Sequence, residues 1–225
     1  MYVRVPNLLS EENLQVADEL IAHGKFSDGA ATTGAPTKAI KHNLQLDLGT
    51  HPRRDDFFRM ITQVMNANPM VRSVALPKRM SVPLVSKYEP GMSYGWHIDN
   101  AIMSAMGNPM RSDIACTIFV SNKQDYSGGE LMVRTASGDI KVKLDRGDGF
   151  LYPATSRHQV LEVTQGQRLA IVFWIQSMIE DVSKRELLHD LEMAYDRLTK
   201  ENPKSEALQM IQRAQANLLR RWSDI

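Results

Sequence analysis

The hexapeptide Tyr94-Gly95-Trp96-His97-Ile98-Asp99 places an imidazole and a carboxylate two residues apart. On a strand, side chains alternate between faces, so His97 and Asp99 would project together and Ile98 away from them. A neutral imidazole and a carboxylate make two-thirds of a facial triad, the donor set that suits a non-haem ferrous ion. The third ligand must come from elsewhere, and His158 is the natural candidate. It follows the apolar run Gly149 to Tyr152 and precedes Val160-Leu161. Two His and one carboxylate on one face of an octahedral ion leave three positions open. A 2-oxo acid can take two of them and dioxygen the third.

Ten residues after His158, Arg168 opens the apolar strand Arg168 to Gln176. A guanidinium entering a buried strand needs an anionic partner. Its planar fork suits the far carboxylate of 2-oxoglutarate. An internal salt bridge, with a residue such as Glu162, is the competing reading. A lone His-x-Asp is a weak signal that chance also produces. His97 by itself reads as a hydrogen-bonded surface histidine, and His158 as a turn cap. The ensemble gives the pair its weight: a turn before it, then a distal His and an Arg within the same β zone. His23, His42, His51 and His189 lack such context and read as structural, and Asp148 in Arg146-Gly147-Asp148 reads as part of a turn.

Three zones must position these residues. From Met1 to Asn68 the pattern is mixed. Ser10 is placed to cap a helix carrying Leu14, Ala17, Leu20 and Ile21, which Gly24 ends. A second helix is expected over Arg54 to Met65. From Leu76 to Met178, short apolar or alternating segments are separated by turns such as Glu89-Pro90-Gly91, Ser127-Gly128-Gly129 and Gln165-Gly166-Gln167. Turns about every ten residues suit a jelly roll or sandwich. Between Asn100 and Arg111, the methionines Met103, Met106 and Met110 with Gly107-Asn108-Pro109 predict a mobile loop at the mouth of the site. A satellite core cluster is the alternative.

The zone from Glu180 to Ile225 reads as two helices. Ser183 with Glu186 forms a capping box for the first, and Asn202-Pro203 starts the second. The first has Leu187, Leu191, Ala194, Tyr195 and Leu198 on one face, and the second has Ile211, Ala214, Leu218 and Trp222. Each stripe must be buried. A homodimer using this zone, with Trp222 as anchor, is expected, and packing on the N-terminal helices is the alternative.

Composition narrows the function classes. The chain has 225 residues, 43% of them hydrophobic, enough for one domain with an appendage. A net charge of +1 argues against nucleic acid as the partner. The single cysteine, Cys116, lies in an apolar run and reads as a buried small residue in a reducing compartment. Met1 to Ser10 has no apolar core of a signal peptide, and Leu169 to Ile175 is too short to span a bilayer. No membrane is expected, and the cytoplasm is the expected location.

The span Tyr88 to Asp99 resembles the iron-site opening of prolyl-hydroxylase-like oxygenases. Ser127-Gly128-Gly129-Glu130-Leu131 and Arg157-His158-Gln159-Val160 with Arg168 complete a pattern similar to the bacterial PKHD-type hydroxylases. The resemblance covers nearly the whole chain. It implies an α+β fold, with a double-stranded β-helix (jelly roll) at residues 76–178, an N-terminal helical and mixed support region at 1–75 and a C-terminal helical region at 179–225. It implies Fe(II) held by His97, Asp99 and His158, and 2-oxoglutarate held by Arg168. It further implies that Tyr88, nine residues before the first iron ligand, helps to hold the co-substrate. The implied reaction hydroxylates a substrate that the sequence does not name, with dioxygen consumed and succinate and carbon dioxide released. L-ascorbate as reductant and a link to iron uptake are also implied. The alternative is a non-enzymatic metal-binding β-sandwich with a sensing or binding role. A structural zinc, however, normally takes four ligands rich in Cys.

Overall fold

The computed structural model describes every residue except Met106, and side chains for all of these but Thr32, Ala35 and Pro36. Its first third runs β1 (Val3–Val5), α1 (Glu11–His23), β2 (Phe26–Asp28), α2 (Ala35–Lys38), β3 (Lys41–His42), β4 (Leu44–Leu46), α3 (Arg54–Ala67) and α4 (Pro69–Ala75). The strands β5 (Pro77–Met80), β6 (Leu84–Tyr88), β7 (Ser93–His97), β8 (Ile102–Ala105), β9 (Asn108–Arg111) and β10 (Ile114–Phe119) follow. Next come β11 (Tyr126–Gly128), β12 (Leu131–Thr135), β13 (Gly138–Val142), β14 (Gly149–Pro153), β15 (His158–Val160), β16 (Val163–Gly166) and β17 (Arg168–Ser177). The helices α5 (Val182–Glu201) and α6 (Glu206–Trp222) close the chain.

Two antiparallel sheets form the expected jelly roll. The larger has the order β1-β14-β10-β17-β6-β4-β2, with β5 also on β17, and the smaller is β13-β12-β15-β7-β3. The alternation of β10 and β17 explains why both read as apolar throughout. Ala115 and Phe119, with Trp174 and with Phe150 and Tyr152 of the neighbouring β14, pack toward the small sheet against Leu131 and Val133. Ile114, Cys116, Ile118, Ile171, Phe173 and Ile175 face the other way, onto Leu20 of α1 and Phe57, Ile61 and Met65 of α3. Burying each such large side chain stabilises the fold by about 1.5–3 kcal/mol. The helices therefore brace the back of the sheet whose front lines the cavity.

Local chemistry sets the helix ends. Ser10 caps α1 in a reciprocal box with Asn13, and Gly24 follows its last turn. The C-terminal zone departs from expectation at both starts. Asp181, not Ser183, caps α5, its carboxylate accepting the Lys184 N–H at 2.9 Å. Asn202 ends α5, and Ser205 caps α6 by accepting the Ala207 N–H. In each case a better-placed oxygen two or three residues away takes the cap. The buried stripe also differs from the expected one. Arg185 and Leu188 are buried, because α5 packs on α4 as well as α6, while Leu187 is 54% exposed. Trp222 lies under the Lys184 ammonium, 5.5 Å from its ring centroid.

One further expectation changes. Asn100 to Arg111 is no irregular loop: β8 and β9 pair as a hairpin, with Met103 opposite Met110. Met110 is buried in the core and Met103 lines the cavity described below, while Met106 lies outside the described residues. The N-terminal zone holds strands as well as helices, in keeping with its mixed pattern. It adds β1, β2 and β4 to the large sheet and β3 to the small one. No helix among the described residues is long and apolar enough to cross a membrane.

Candidate active site

β7 and β15 pair antiparallel with His158 directly opposite His97. That single register brings together two imidazoles separated by sixty residues of chain, with ring centroids 4.2 Å apart. Asp99 does not share the strand with His97, contrary to the alternation argument. β7 ends at His97, and Asp99 sits in the irregular segment that follows. That segment nevertheless carries its carboxylate inward while Ile98 stays 57% exposed. Asp99 Oδ1 lies 3.8 Å from His97 Nε2 and 3.8 Å from His158 Nε2. One donor atom from each of the three residues falls within 4.8 Å of the others.

Hydrogen bonds orient all three donors. His97 Nδ1 lies 2.8 Å from the Gly95 carbonyl and His158 Nδ1 3.0 Å from the Ser156 carbonyl. An N–H donating at Nδ1 leaves each Nε2 lone pair directed at the common centre. Asp99 Oδ2 accepts the indole N–H of Trp174 at 2.8 Å, so Oδ1 is the oxygen presented to the imidazoles. Tyr94 stacks on His97 with centroids 3.6 Å apart and planes 15° from parallel. Burial, followed by the neighbouring His158, lowers the His97 pKa to about 3. The ring is therefore held neutral, the form that ligates a metal. Burial pushes the Asp99 carboxyl upward, a penalty that a dication at the centre would reverse.

The donor set fits Fe(II) better than a closed zinc site. Two imidazoles and one carboxylate oxygen leave coordination positions open. Cys116 offers no fourth ligand, since it belongs to the opposite face of β10 from Thr117, which lines the cavity.

The triad opens into a cavity of about 280 Å³ that Tyr88 and Arg168 also line. β17 and β6 pair with Arg168 opposite Tyr88. Arg168 is only 2% exposed, and its guanidinium carbon lies 5.1 Å from the Tyr88 ring centroid and 5.6 Å from that of Phe119. Its Nε has no hydrogen-bond partner, and no acidic side chain among the described residues forms an ion pair with it. Glu162, the alternative partner, is exposed. A buried cation without a counter-charge is costly, so the pocket is built for an anion. The stem of Arg168 passes Gly129, whose φ of +66° suits glycine. A Cβ there would meet Arg168 Cδ at 3.0 Å and Val163 Cγ2 at 2.8 Å. Burial raises the Tyr88 hydroxyl to about 12, which keeps it protonated and able to donate.

The five residues singled out in the sequence thus meet in one cavity. Sequence reasoning missed Trp174, Lys41 and Asn43, which line it too. Trp174 sits at an even spacing from Arg168 on β17, so the period of two placed it on the same face. Lys41, Asn43 and Gln45 are buried at alternate positions, a strand signal in a segment read only as mixed. Burial lowers the Lys41 ammonium to about 8, and it lies 5.3 Å from the Tyr94 ring centroid.

Residues 83–176 match the 2OG-Fe(II) oxygenase superfamily, and residues 183–224 match the PKHD-type hydroxylase C-terminal domain. The chain is 37% identical to a PKHD-type hydroxylase of a Polaromonas species over 227 residues, covering all of both chains. It is 38% identical to one from Saccharophagus degradans, covering 99% of each. Among solved structures it is similar to a Pseudomonas putida prolyl-4-hydroxylase, with a TM-score of 0.55 and 17% identity over 78% of this chain and 92% of that one. It is similar also to a Trichoplax adhaerens prolyl hydroxylase in complex with a hypoxia inducible factor peptide fragment. There the TM-score is 0.58, with 17% identity over 83% of this chain and 86% of that one. These two structures share its fold.

Proposed function

Because the chain belongs to the PKHD-type hydroxylases and is an Fe(II)- and 2-oxoglutarate-dependent hydroxylase, we propose that His97, Asp99 and His158 hold its iron and that Arg168 and Tyr88 hold its 2-oxoglutarate. One observation carries this reading: three convergent donors open into a cavity lined by a buried guanidinium whose Nε has no hydrogen-bond partner and which meets no carboxylate among the described residues. Bound Fe(II) and 2-oxoglutarate supply the oxidising power, by which dioxygen and the 2-oxo acid become succinate and carbon dioxide and a substrate C–H becomes C–OH.

The chain's own groups do the rest. His97 and His158 present lone pairs fixed by their Nδ1 hydrogen bonds, and Trp174 holds Asp99 to one-oxygen ligation. Arg168 sets the reach of the co-substrate by fixing its distal carboxylate, with Tyr88 donating beside it. The apolar walls contributed by Leu131, Val160 and Val172 keep bulk water from the reacting centre.

The reading extends to the molecule as a whole. Residues 1–75 support an oxygenase core at 76–178, and 179–225 form a helical appendage. The appendage contributes to a homodimer, for which the exposed Leu187, Met193 and Met210 supply apolar surface. The protein acts in the cytoplasm with L-ascorbate as accessory reductant, on a substrate connected with iron uptake. The test is succinate release from 2-oxoglutarate on addition of Fe(II), followed by a screen of siderophores and peptides for the mass gain of one oxygen atom. A protein that binds metal but releases no succinate, with any of these present, would refute the catalytic assignment of the triad.

A further inference from the structure

We propose that Asn43 is a further binding residue for the distal carboxylate of 2-oxoglutarate, donating to it beside Tyr88 and Arg168. The inference rests on the assignment of Arg168 to that carboxylate. Its starting point is strand register. Arg168 of β17 lies opposite Tyr88 of β6. On the other side of β6, Gln45 lies opposite Ser86 and Leu44 opposite Lys87. One more step in the same antiparallel register sets Asn43 opposite Tyr88. Arg168, Tyr88 and Asn43 therefore form one row across three neighbouring chain segments, and all three line the cavity.

The row is incompletely satisfied. Asn43 is 3% exposed, and neither Oδ1 nor Nδ2 has a hydrogen-bond partner. Arg168 Nε, in the same row, has none either. A buried primary amide with both ends unsatisfied is rare in native proteins and destabilises the fold that carries it. Gly29 makes room for this side chain, since a Cβ there would come within 2.0 Å of Asn43 Oδ1. With Oδ1 against Gly29, the amide N–H is the group left for the cavity. A carboxylate accepts at about four lone-pair sites, more than one arginine fork fills. Asn43 supplies another donor without adding charge beside the cation.

Equilibrium binding to the Mn(II)-loaded full chain tests this, using 2-oxoglutarate and 2-oxopentanoate, which has the same carbon chain without the distal carboxylate. Loss of a hydrogen bond to a charged group should weaken 2-oxoglutarate binding by about tenfold to a hundredfold in Asn43→Ala and Asn43→Leu. Binding of 2-oxopentanoate should stay within about twofold of the parent by the same reasoning, as no donor to it is lost. The near-isosteric Leu variant, with no unsatisfied amide, should melt no lower than the parent when ligand-free. If both variants keep the parental preference for 2-oxoglutarate while Arg168→Ala loses it, the proposal is overturned and the Arg168 assignment stands. If Arg168→Ala keeps that preference as well, the assignment falls and the proposal with it. Equal weakening for both acids, or a Leu variant that melts well below the parent, would show that Asn43 serves the fold, and would also overturn the proposal.

Discussion

Replacing Trp174 with Phe removes one hydrogen bond together with one ring of the indole. The aromatic body stays between the sheets, but the indole N–H that reaches Asp99 Oδ2 at 2.8 Å is gone. A hydrogen bond to an ionised group contributes about 1.5–3 kcal/mol. Here its loss acts in two ways. The Asp99 side chain is only 9% exposed, so the abandoned oxygen regains little solvation. The carboxylate is also freed to rotate, which disturbs the approach of Oδ1 to both imidazoles, now 3.8 Å from each. Partners of metal ligands typically contribute about tenfold to a hundredfold in metal affinity, and 1.5–3 kcal/mol corresponds to that range at about 1.4 kcal/mol per tenfold. Mn(II) or anaerobic Fe(II) binding to Trp174→Phe should therefore weaken by about tenfold to a hundredfold. At saturating metal the KM for 2-oxoglutarate should be unchanged, because Arg168 and Tyr88 are untouched. Titration calorimetry reads the first quantity and succinate release the second. Metal affinity within about twofold of the parent would refute the argument that Trp174 fixes the carboxylate.

Four other substitutions or sets of substitutions probe the same architecture. Ala at His97, Asp99 or His158 should abolish succinate release and metal-induced thermal stabilisation while the metal-free protein keeps its circular dichroism; normal turnover by Asp99→Ala would sink the iron assignment. Arg168→Ala should raise the KM for 2-oxoglutarate by about tenfold to a hundredfold, as expected for a lost charge-assisted pair, with metal affinity unchanged. An unaltered KM in steady-state assays would remove Arg168 from the co-substrate site. Gly129→Ala should destabilise the fold by about 1–3 kcal/mol in urea titrations, because a Cβ at φ +66° is strained and meets the Arg168 stem; parental stability would contradict this account of the turn. Light scattering should give a dimer for the full chain at micromolar concentration and a monomer when Leu187 and Met210 both become Glu. A parent chain that is already monomeric would end the dimer proposal.

Much of the site was legible before any fold was known, because the relevant physics is local. Residue types define a ligand set, and the ensemble of His97-x-Asp99, the turn before it and the distal His158 in one β zone singled out these three. Turn glycines separated the strands, and an arginine opening an apolar strand pointed to a guanidinium in the interior, where Arg168 is 2% exposed. The Ser10 cap was legible because its partner lies three residues away. Where a local signal had a nearby competitor, the reading slipped: Asp181 and Ser205 displaced the expected caps of the last two helices.

Tertiary structure decided what depends on register between distant segments. The period of two says which residues share a face of one strand, but not which strand lies beside it. His158 meets His97 only because β15 pairs with β7, and Arg168 meets Tyr88 only because β17 pairs with β6. Asp99 reaches the centre from an irregular segment rather than a strand, because Trp174, seventy-five residues later, holds its other oxygen. Asn43 joins the cavity because β4 extends the large sheet past β6. The sequence by itself determined which chemistry the chain could perform, since functional groups are carried residue by residue. Their convergence was decided by the fold, because pairing across a sheet is a choice among many nearly equivalent registers that the burial of both sheet faces resolves.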